Sequence, residues 1–323
     1  MTTGVLLLGF GGPDSIDAVQ PFMCNLMDRV PSEELVASVC KRYLAIGGSS
    51  PLPIIAAGIA SGLEKRFTDL GSPVPVRVGM RYWTPFIEDS VAELTGLGCD
   101  RIVTISLSPF ESKAASGAYR DSINAVIEHY PELEIVEAPL VSDLDAFVDF
   151  MSGATATAIT DLDPNEGAIV VFTAHSLPLS DLSPDDPYAA GLERVAGAIA
   201  ATLGMEPGAP GAGEGMFSEF RAFGSTAPPR AWFLAYQSKG QRPGGWLEPD
   251  LDALIEAATD SPVKAFVVVP IGFLTDHMET LYDLDIVAAD KTLTAGMEWS
   301  RAPVGNEADQ LLDGIAAAVV GLL

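Results

Sequence analysis

Two loops of this sequence carry the residues best suited to proton transfer or metal binding, and the first contains His175. That residue follows the apolar and β-branched run at 169–173, and Pro178 then prevents the strand from continuing. An imidazole just beyond the carboxyl end of a buried strand stands where parallel-sheet proteins build their sites. The alternative is a core histidine that bonds a neighbouring carbonyl group, and for a single histidine both interpretations stay open.

The second loop brings a carboxylate to the matching point of another strand. Residues 267–270 are predicted to form a strand, and Asp276, His277 and Glu279 follow it. An imidazole and a carboxylate that converge on one cleft suit stepwise proton transfer near neutral pH or the binding of Fe(II). However, Asp276 and Glu279 have capping-box spacing, so Glu279 could instead bond the backbone at the start of its helix. The order His-x-Glu does not match the His-Glu-x-x-His pattern of zinc helices.

The elements that must position these residues alternate between strands and helices. This alternation predicts the α/β class, with a doubly wound parallel sheet and helices on both faces. Strands are predicted at 5–8, 74–80, 100–107, 133–136, 169–173 and 267–270, and the main helices at 32–45, 50–67, 144–159 and 306–323.

The strand pattern occurs twice along the chain. The strand cores at Val5 and Ile102 are separated by nearly the same length of chain as those at Ile169 and Ala265. We therefore expect two similar halves, an N-terminal domain at 1–160 and a C-terminal domain at 161–305 with an inserted loop at 205–230. A helix at 306–323 packs back on the body. The glycines near Phe10 do not form a dinucleotide fingerprint, because Asp14 occupies the place of the last glycine.

The composition excludes several classes of protein. A net charge of -26 argues against nucleic acid and anionic membranes as general partners. No apolar run is long enough for a spanning helix, and the N-terminus lacks the basic region of a signal peptide, so we expect no integral membrane association and a cytoplasmic location. The three cysteines lack the spacing of a disulfide framework or a zinc site.

Six sequence blocks, taken together, resemble the ferrochelatases, which insert iron into porphyrin in haem biosynthesis. They are LLLGFGGPDS, KRYLAIGGSSPL, MRYWTPFIEDSV, FTAHSLP, AYQSKGQRPGGWLEPDL and VPIGFLTDHMETLYDLD, in the order of that family. The resemblance implies two Rossmann-like halves without a nucleotide and a porphyrin in the cleft between them. It also implies that His175 is a metal ligand and proton acceptor, and that Glu279 is the opposing carboxylate.

The same resemblance directs attention to residues that would line the porphyrin cleft. Candidates for its apolar walls are Phe10, Tyr82, Trp83, Trp246 and Phe273. Cations near the motif loops that could bind propionates are Arg42, Arg81, Lys113, Arg120, Lys239 and Arg242. Porphyrin and Fe(II) are the expected substrates, and other enzymes of the haem pathway are possible partners. We expect no tightly bound cofactor, and no [2Fe-2S] cluster because no cysteine follows Cys99.

The chain departs from the family pattern at Phe10, at Val287 and in the loop 108–116, where Phe110 replaces a residue that is commonly polar. Phe10 stands where some members have tyrosine, so no phenolate is available there. Val287 replaces a carboxylate of some bacterial relatives, and Asp276, Asp283 or Asp285 could substitute for it. Coproporphyrin III is favoured over protoporphyrin IX as the substrate. The alternatives are a chelatase for another divalent metal such as cobalt, and a haem or porphyrin carrier without catalysis.

Overall fold

Two parallel sheets organise the chain. The computed structural model describes residues 2–162, 167–208, 231–240 and 242–323. Most of the loop expected at 205–230 lies outside these ranges. Its first residues differ from the expectation, since Glu206–Pro207 form a two-residue strand.

The first sheet has the order β2-β1-β3-β4, and all its neighbours are parallel. Every residue of β1 is buried, because helices cover both faces of this central strand. Leu6 and Leu8 pack on one face, whereas Val5 and Leu7 pack on the other. The strands are β1 (Thr3–Gly9), β2 (Val76–Met80), β3 (Arg101–Ser106) and β4 (Glu134–Glu137).

The second sheet repeats this arrangement with one additional edge strand. Its order is β6-β7-β5-β8-β9, so β7 and β8 flank β5 as β2 and β3 flank β1. All pairs are again parallel. The prediction of two similar parallel-sheet α/β halves is therefore confirmed. The strands are β5 (Ala168–His175), β6 (Glu206–Pro207), β7 (Ala231–Gln237), β8 (Ala265–Val269) and β9 (Glu298–Arg301).

Helices connect and cover the strands. Those of the first half are α1 (Val19–Met27), α2 (Glu33–Ala45), α3 (Leu52–Asp69), α4 (Ile87–Gly96), α5 (Ser116–Ile127) and α6 (Asp145–Thr160). Those that follow are α7 (Tyr188–Thr202), α8 (Leu251–Ala258), α9 (Met278–Leu281), α10 (Ala289–Thr294) and α11 (Asp309–Val319). A π-helical segment, Asp283–Ala288, lies between α9 and α10. No helix in the described part of the chain has both the length and the apolar character that a membrane crossing requires.

The two halves share one core. Helix α6 packs on α7 and β8, and α11 packs on both α3 and α6. One cluster of buried side chains runs from Val5 in β1, through Phe172 in β5, to Val319 at the end of α11. The sheets are therefore held in a fixed relation, and so are the loops at their carboxyl ends.

Candidate active site

His175 is the last residue of β5, and its backbone is fixed by hydrogen bonds. The Tyr188 hydroxyl donates to its carbonyl oxygen at 3.1 Å, and burial raises the pKa of Tyr188, so this hydroxyl stays protonated. The next residue, Ser176, donates its N–H to the carbonyl of Gln237 at 2.8 Å. The imidazole itself is 32% exposed, and it is accessible at the carboxyl edge of the sheet.

Glu279 lies in the first turn of α9 and faces that imidazole. Its Oε2 atom is 3.0 Å from Nδ1 of His175 and 3.6 Å from Nε2 of His277. The contact with His175 has the distance of an ion pair without the alignment of a hydrogen bond. The structure thus brings together the imidazole and the carboxylate that the sequence singled out.

Thr280, and not Glu279, completes the capping box at the N-terminus of α9. Its hydroxyl accepts the N–H of His277 at 3.0 Å and lies 2.8 Å from a carboxylate oxygen of Asp276, to which it donates. Capping-box spacing counted from Asp276 selected the wrong residue, because the cap is His277 and the third helical residue is then Thr280. Glu279 is left to face His175.

The two charged groups shift each other's pKa. Burial favours the neutral carboxyl, but the nearby charges of His175 and His277 outweigh burial and hold the pKa of Glu279 well below its usual range. For His175, burial favours the neutral imidazole, yet Glu279 and the more distant Asp283 raise its pKa above the ordinary value. The two groups together therefore widen the pH range over which an imidazolium lies beside a carboxylate.

Three polar residues surround this pair, and the sequence pointed to two of them, His277 and Asp283. Nδ1 of His277 lies 3.1 Å from the carbonyl of Thr275 and donates to it, so Nε2 is the ring nitrogen that faces Glu279. Asp283 accepts from Ser238 at 2.5 Å, and burial followed by the charge of Glu279 raises the pKa of Asp283. The sequence indicated both residues, but it did not indicate their partners.

The third residue is Gln237, which is aligned with His175 across the β5–β7 pair. It is 4% exposed, and its amide nitrogen donates to the backbone carbonyl of Glu279 at 2.8 Å. One side chain thus joins the strand beside His175 to the helix that carries Glu279. Nothing in the sequence indicates this role, because Gln237 and Glu279 come together only through the fold.

The three aspartates considered as substitutes for the missing carboxylate at 287 have different surroundings. Asp283 interacts with Glu279 through its charge. Asp285 accepts two hydrogen bonds from Arg301, one from Nε at 2.5 Å and one from Nη2 at 2.9 Å. Asp276 accepts from Thr280 and from Asn306.

Aromatic side chains of the first half form a wall at the edge of β1 and β2. The Phe10 ring is 43% exposed and packs edge-on against Tyr82 with centroids 4.8 Å apart. Phe22 on α1 contacts both Phe10 and Trp83. Met278, beside Glu279, packs against the cluster to which Phe22 belongs, so this wall and the Glu279 helix are neighbours.

The other two aromatic candidates lie in the second half. Phe273 is buried, and its ring lies 4.8 Å from that of His277. Trp246 pairs with Pro178 in the loop that follows His175, and its indole N–H donates to the carbonyl of Arg242.

The candidate cations are distributed unevenly. Arg42 is stacked over Tyr282 at 5.6 Å, and Arg81 over Tyr82 at 4.8 Å. Lys239 pairs with Asp250 and Arg242 with Asp181, while Lys113 is exposed.

Arg120 is the candidate cation whose guanidinium is already bound by two carboxylates of the protein. Its guanidinium binds Glu137 at 2.7 Å and Glu111 at 3.3 Å, and these carboxylates raise its pKa. It lines a cavity of about 50 Å³ with Thr104 and Ser106 of the first sheet. Its ion pairs within the described residues include neither His175 nor Glu279.

Comparison with known proteins agrees with this geometry. A family model described as Ferrochelatase matches residues 2–321. A ferrochelatase of Deinococcus radiodurans is 28% identical over 98% of this chain and 94% of its own. Coproporphyrin III ferrochelatases of Streptomyces griseus and Frankia alni are 34% and 35% identical, over 94% and 92% of this chain and 81% and 74% of theirs.

Solved structures share the fold at low sequence identity. SirB from Bacillus subtilis, solved with Fe3+, has a TM-score of 0.55 at 14% identity and covers 99% of this chain and 94% of its own. CbiX, described as the terminal enzyme for biosynthesis of sirohaem in denitrifying bacteria, has a TM-score of 0.55 at 14% identity, with 99% of each chain covered.

Two parallel-sheet halves, with an imidazole and a carboxylate facing each other at a sheet edge, are compatible with a metal chelatase, and the matching family is one of metal chelatases. The match over residues 2–321 specifies the family more closely: the chain belongs to the ferrochelatases. It is a porphyrin metal chelatase, a lyase of haem biosynthesis whose substrates are a porphyrin and iron.

Proposed function

We propose that this enzyme inserts Fe(II) into coproporphyrin III, with His175 as proton acceptor and metal ligand and Glu279 as the opposing carboxylate. The observation that carries the proposal is the 3.0 Å approach of His175 Nδ1 to Glu279 Oε2. Both side chains keep about a third of their surface exposed, at 32% and 30%, so a substrate can reach them.

The chemistry of metallation requires what this pair can provide. Two pyrrole N–H protons must leave the macrocycle while Fe(II) loses water and enters the ring. A neutral imidazole accepts one proton at a time near neutral pH. Glu279 stays ionised because its pKa is held low, so it attracts the cation and neutralises the imidazolium that forms. Together the two groups offer two metal ligands and leave the other positions to the pyrrole nitrogens.

The aromatic wall gives this proposal a place for the macrocycle. Phe10, Tyr82 and Trp83 are half-buried or exposed, so their rings remain available to an apolar ligand. Because Met278 packs against the same wall, a ring bound there would lie close to Glu279. A cleft that holds the ring bent exposes a nitrogen lone pair to the metal, so binding energy is used for distortion.

Two observations support coproporphyrin III over protoporphyrin IX. The relatives from Streptomyces griseus and Frankia alni are described as coproporphyrin III ferrochelatases. The four propionates of that substrate require cations, and Arg42, Arg81 and Lys113 are half-buried or exposed on the loops and helices of the first half. The net charge of -26 makes these local cations necessary for binding an anionic substrate.

Anaerobic metallation by purified protein tests the proposal. With Fe(II) and coproporphyrin III, we expect H175A to lower kcat by at least about a hundredfold while porphyrin binding persists. The matched control is H129A, because His129 is exposed beyond the end of α5 and should leave kcat unchanged. Wild-type turnover in H175A would reject His175 as the proton acceptor.

The two alternatives predict different results in the same assay. A carrier would bind porphyrin tightly, and the wild type would insert no metal. A cobalt chelatase would prefer Co(II) and sirohydrochlorin, and one structural neighbour, SirB in complex with cobalt, is described as a sirohydrochlorin chelatase, with a TM-score of 0.53 at 12% identity. That identity supports the fold alone. The cytoplasmic location, the absence of a [2Fe-2S] cluster and the domain limits stay predictions from the sequence.

A further inference from the structure

The segment that carries Glu279 has little means of holding its own position. Helix α9 has four residues, and the π-helical segment after it has six. A single helical turn is unstable in isolation, and π-helices are rare and are frequently found at functional sites. The position of Glu279 relative to His175 must therefore depend on contacts with the rest of the protein.

Arg301 contacts this segment on both sides of Glu279. It ends β9, and its side chain is 14% exposed. Nε and Nη2 bind the two carboxylate oxygens of Asp285 at 2.5 and 2.9 Å, in the parallel geometry that makes such pairs strong. Nη1 lies 3.3 Å from Oδ1 of Asp276. One guanidinium thus joins a residue before α9 to a residue of the π-helical segment.

Asp276 is itself anchored to both α9 and the chain after β9. Its N–H donates to Oδ1 of Asn306 at 2.8 Å, and the Asn306 amide donates back to Oδ2 at 2.7 Å. Asn306 has a φ of 44°, a left-handed conformation that asparagine tolerates better than most residues. The Thr280 hydroxyl donates to the remaining oxygen at 2.8 Å. The Arg301 contact therefore reaches the first turn of α9 through one intermediate carboxylate.

We propose that Arg301 is a positioning residue that fixes the Glu279 segment against the sheet carrying His175. Strand β9 pairs with β8, which pairs with β5, so Arg301 and His175 belong to one sheet. The contacts of Arg301 with Asp276 and Asp285, called the clamp below, anchor the segment that carries the Glu279 carboxylate to the same sheet that carries the imidazole. This inference rests on the proposed function of the His175–Glu279 pair, because Arg301 would act by keeping Glu279 in position relative to His175.

Arg301→Met tests the clamp because it keeps an unbranched side chain and removes both ion pairs. We expect kcat for metal insertion to fall between about ten- and a hundredfold, with little change in porphyrin Kd. Arg301→Lys keeps the charge without the two-pronged contact, so its kcat should lie between those of R301M and the wild type. If R301M does not fold, D285N removes the same ion pair from the other side.

Arg66 provides a matched control for a general loss of stability. It also pairs with two aspartates, Asp309 and Asp313, both at 2.6 Å, and its side chain is 17% exposed. It joins α3 to α11, so R66M should lower the free energy of unfolding and leave kcat unchanged. Equal losses of kcat in R66M and R301M would overturn the positioning role.

Hydrogen exchange separates this inference from the proposed function. Backbone amides at 278–288 should exchange faster in R301M than in the wild type, and R66M should leave them unchanged. Unchanged exchange in R301M overturns the clamp, and so does faster exchange with wild-type kcat. A wild type that inserts no metal would contradict the proposed function, whereas the exchange rates would still decide whether Arg301 holds the segment.

Discussion

At the scale of single residues, the charge on Glu279 governs the ionisation of His175. The raised pKa of His175 contributes stability below about pH 6.5, and this is lost as the pH rises through the raised value. The lowered pKa of Glu279 contributes stability above about pH 4.5, and this is lost as the pH falls through the lowered value. Both contributions are complete only between these limits. Proton acceptance requires neutral imidazole, so insertion should accelerate as the pH rises through the pKa of His175.

Replacing Glu279 by Gln should lower the pKa of His175. The substitution removes the charge that raises this pKa and leaves the effect of burial, which lowers it. An NMR titration of the imidazole, with its signals assigned from H175A, measures the shift. D290N removes an exposed carboxylate on α10 and should leave the titration unchanged. An unchanged His175 pKa in E279Q would show that the two groups are not coupled in solution.

The limits of sequence analysis are clearest at these residues. His175 and Glu279 could be predicted because each follows the carboxyl end of a strand, and strand ends meet at one edge of a sheet. Gln237 and Arg301 could not be predicted, because their partners lie on other elements and no spacing rule relates them to Glu279. Arg120 was selected by its charge, but Glu111 and Glu137 occupy its guanidinium.

At the scale of elements, the range of a regular helix such as α2 could be predicted and the π-helical segment could not. Ser32 was expected near the start of α2, and its hydroxyl accepts the N–H of Leu35 at 3.3 Å. The π-helical segment, by contrast, is bound by Ser238 and Arg301, which come from other strands or their ends. Its sequence contains no local signal for the wider turn.

Replacing Ser32 by Ala should destabilise the protein by about 1 kcal/mol, because α2 loses the acceptor for one of its first N–H groups. Chemical denaturation of S32A and of S32D, which retains an acceptor, measures the difference. Ser15 offers a control, because its exposed hydroxyl contacts only the Asp14 side chain among the hydrogen bonds of the described residues. S15A should lie within about 0.5 kcal/mol of the wild type. Equal stability of S32A and S15A would show that the cap contributes nothing.

At the scale of the whole molecule, the sequence predicted the two halves and a last helix that packs back on the body, but not the partners of that helix. Strands β1 and β3 are separated in sequence by nearly the same length as β5 and β8, and the two pairs occupy equivalent places in the two sheets. The two halves are joined through α6, which packs on α7 and β8, and through α11, which packs on α3 and α6. A hydrophobic pattern indicates that a helix face is buried, but it does not indicate which helix covers it.

Substitution of two helical glycines tests how closely α11 packs on α6. A Cβ added to Gly314 on α11 would overlap the Cβ of Ala146 on α6, whereas one added to Gly153 on α6 would meet nothing within 4 Å. Both Gly→Ala changes bring the same gain in helix propensity, about 0.5–1 kcal/mol, so their difference isolates packing.

We therefore expect urea denaturation to find G153A more stable than the wild type and G314A less stable by about 1–3 kcal/mol. The unfolding of G314A should remain one transition, because both sheets depend on the shared core that α11 completes. If G314A were as stable as G153A, α11 would not pack this closely on α6. The fixed relation between the sheets, and with it the position of the aromatic wall of the first half beside Glu279, would then need another source.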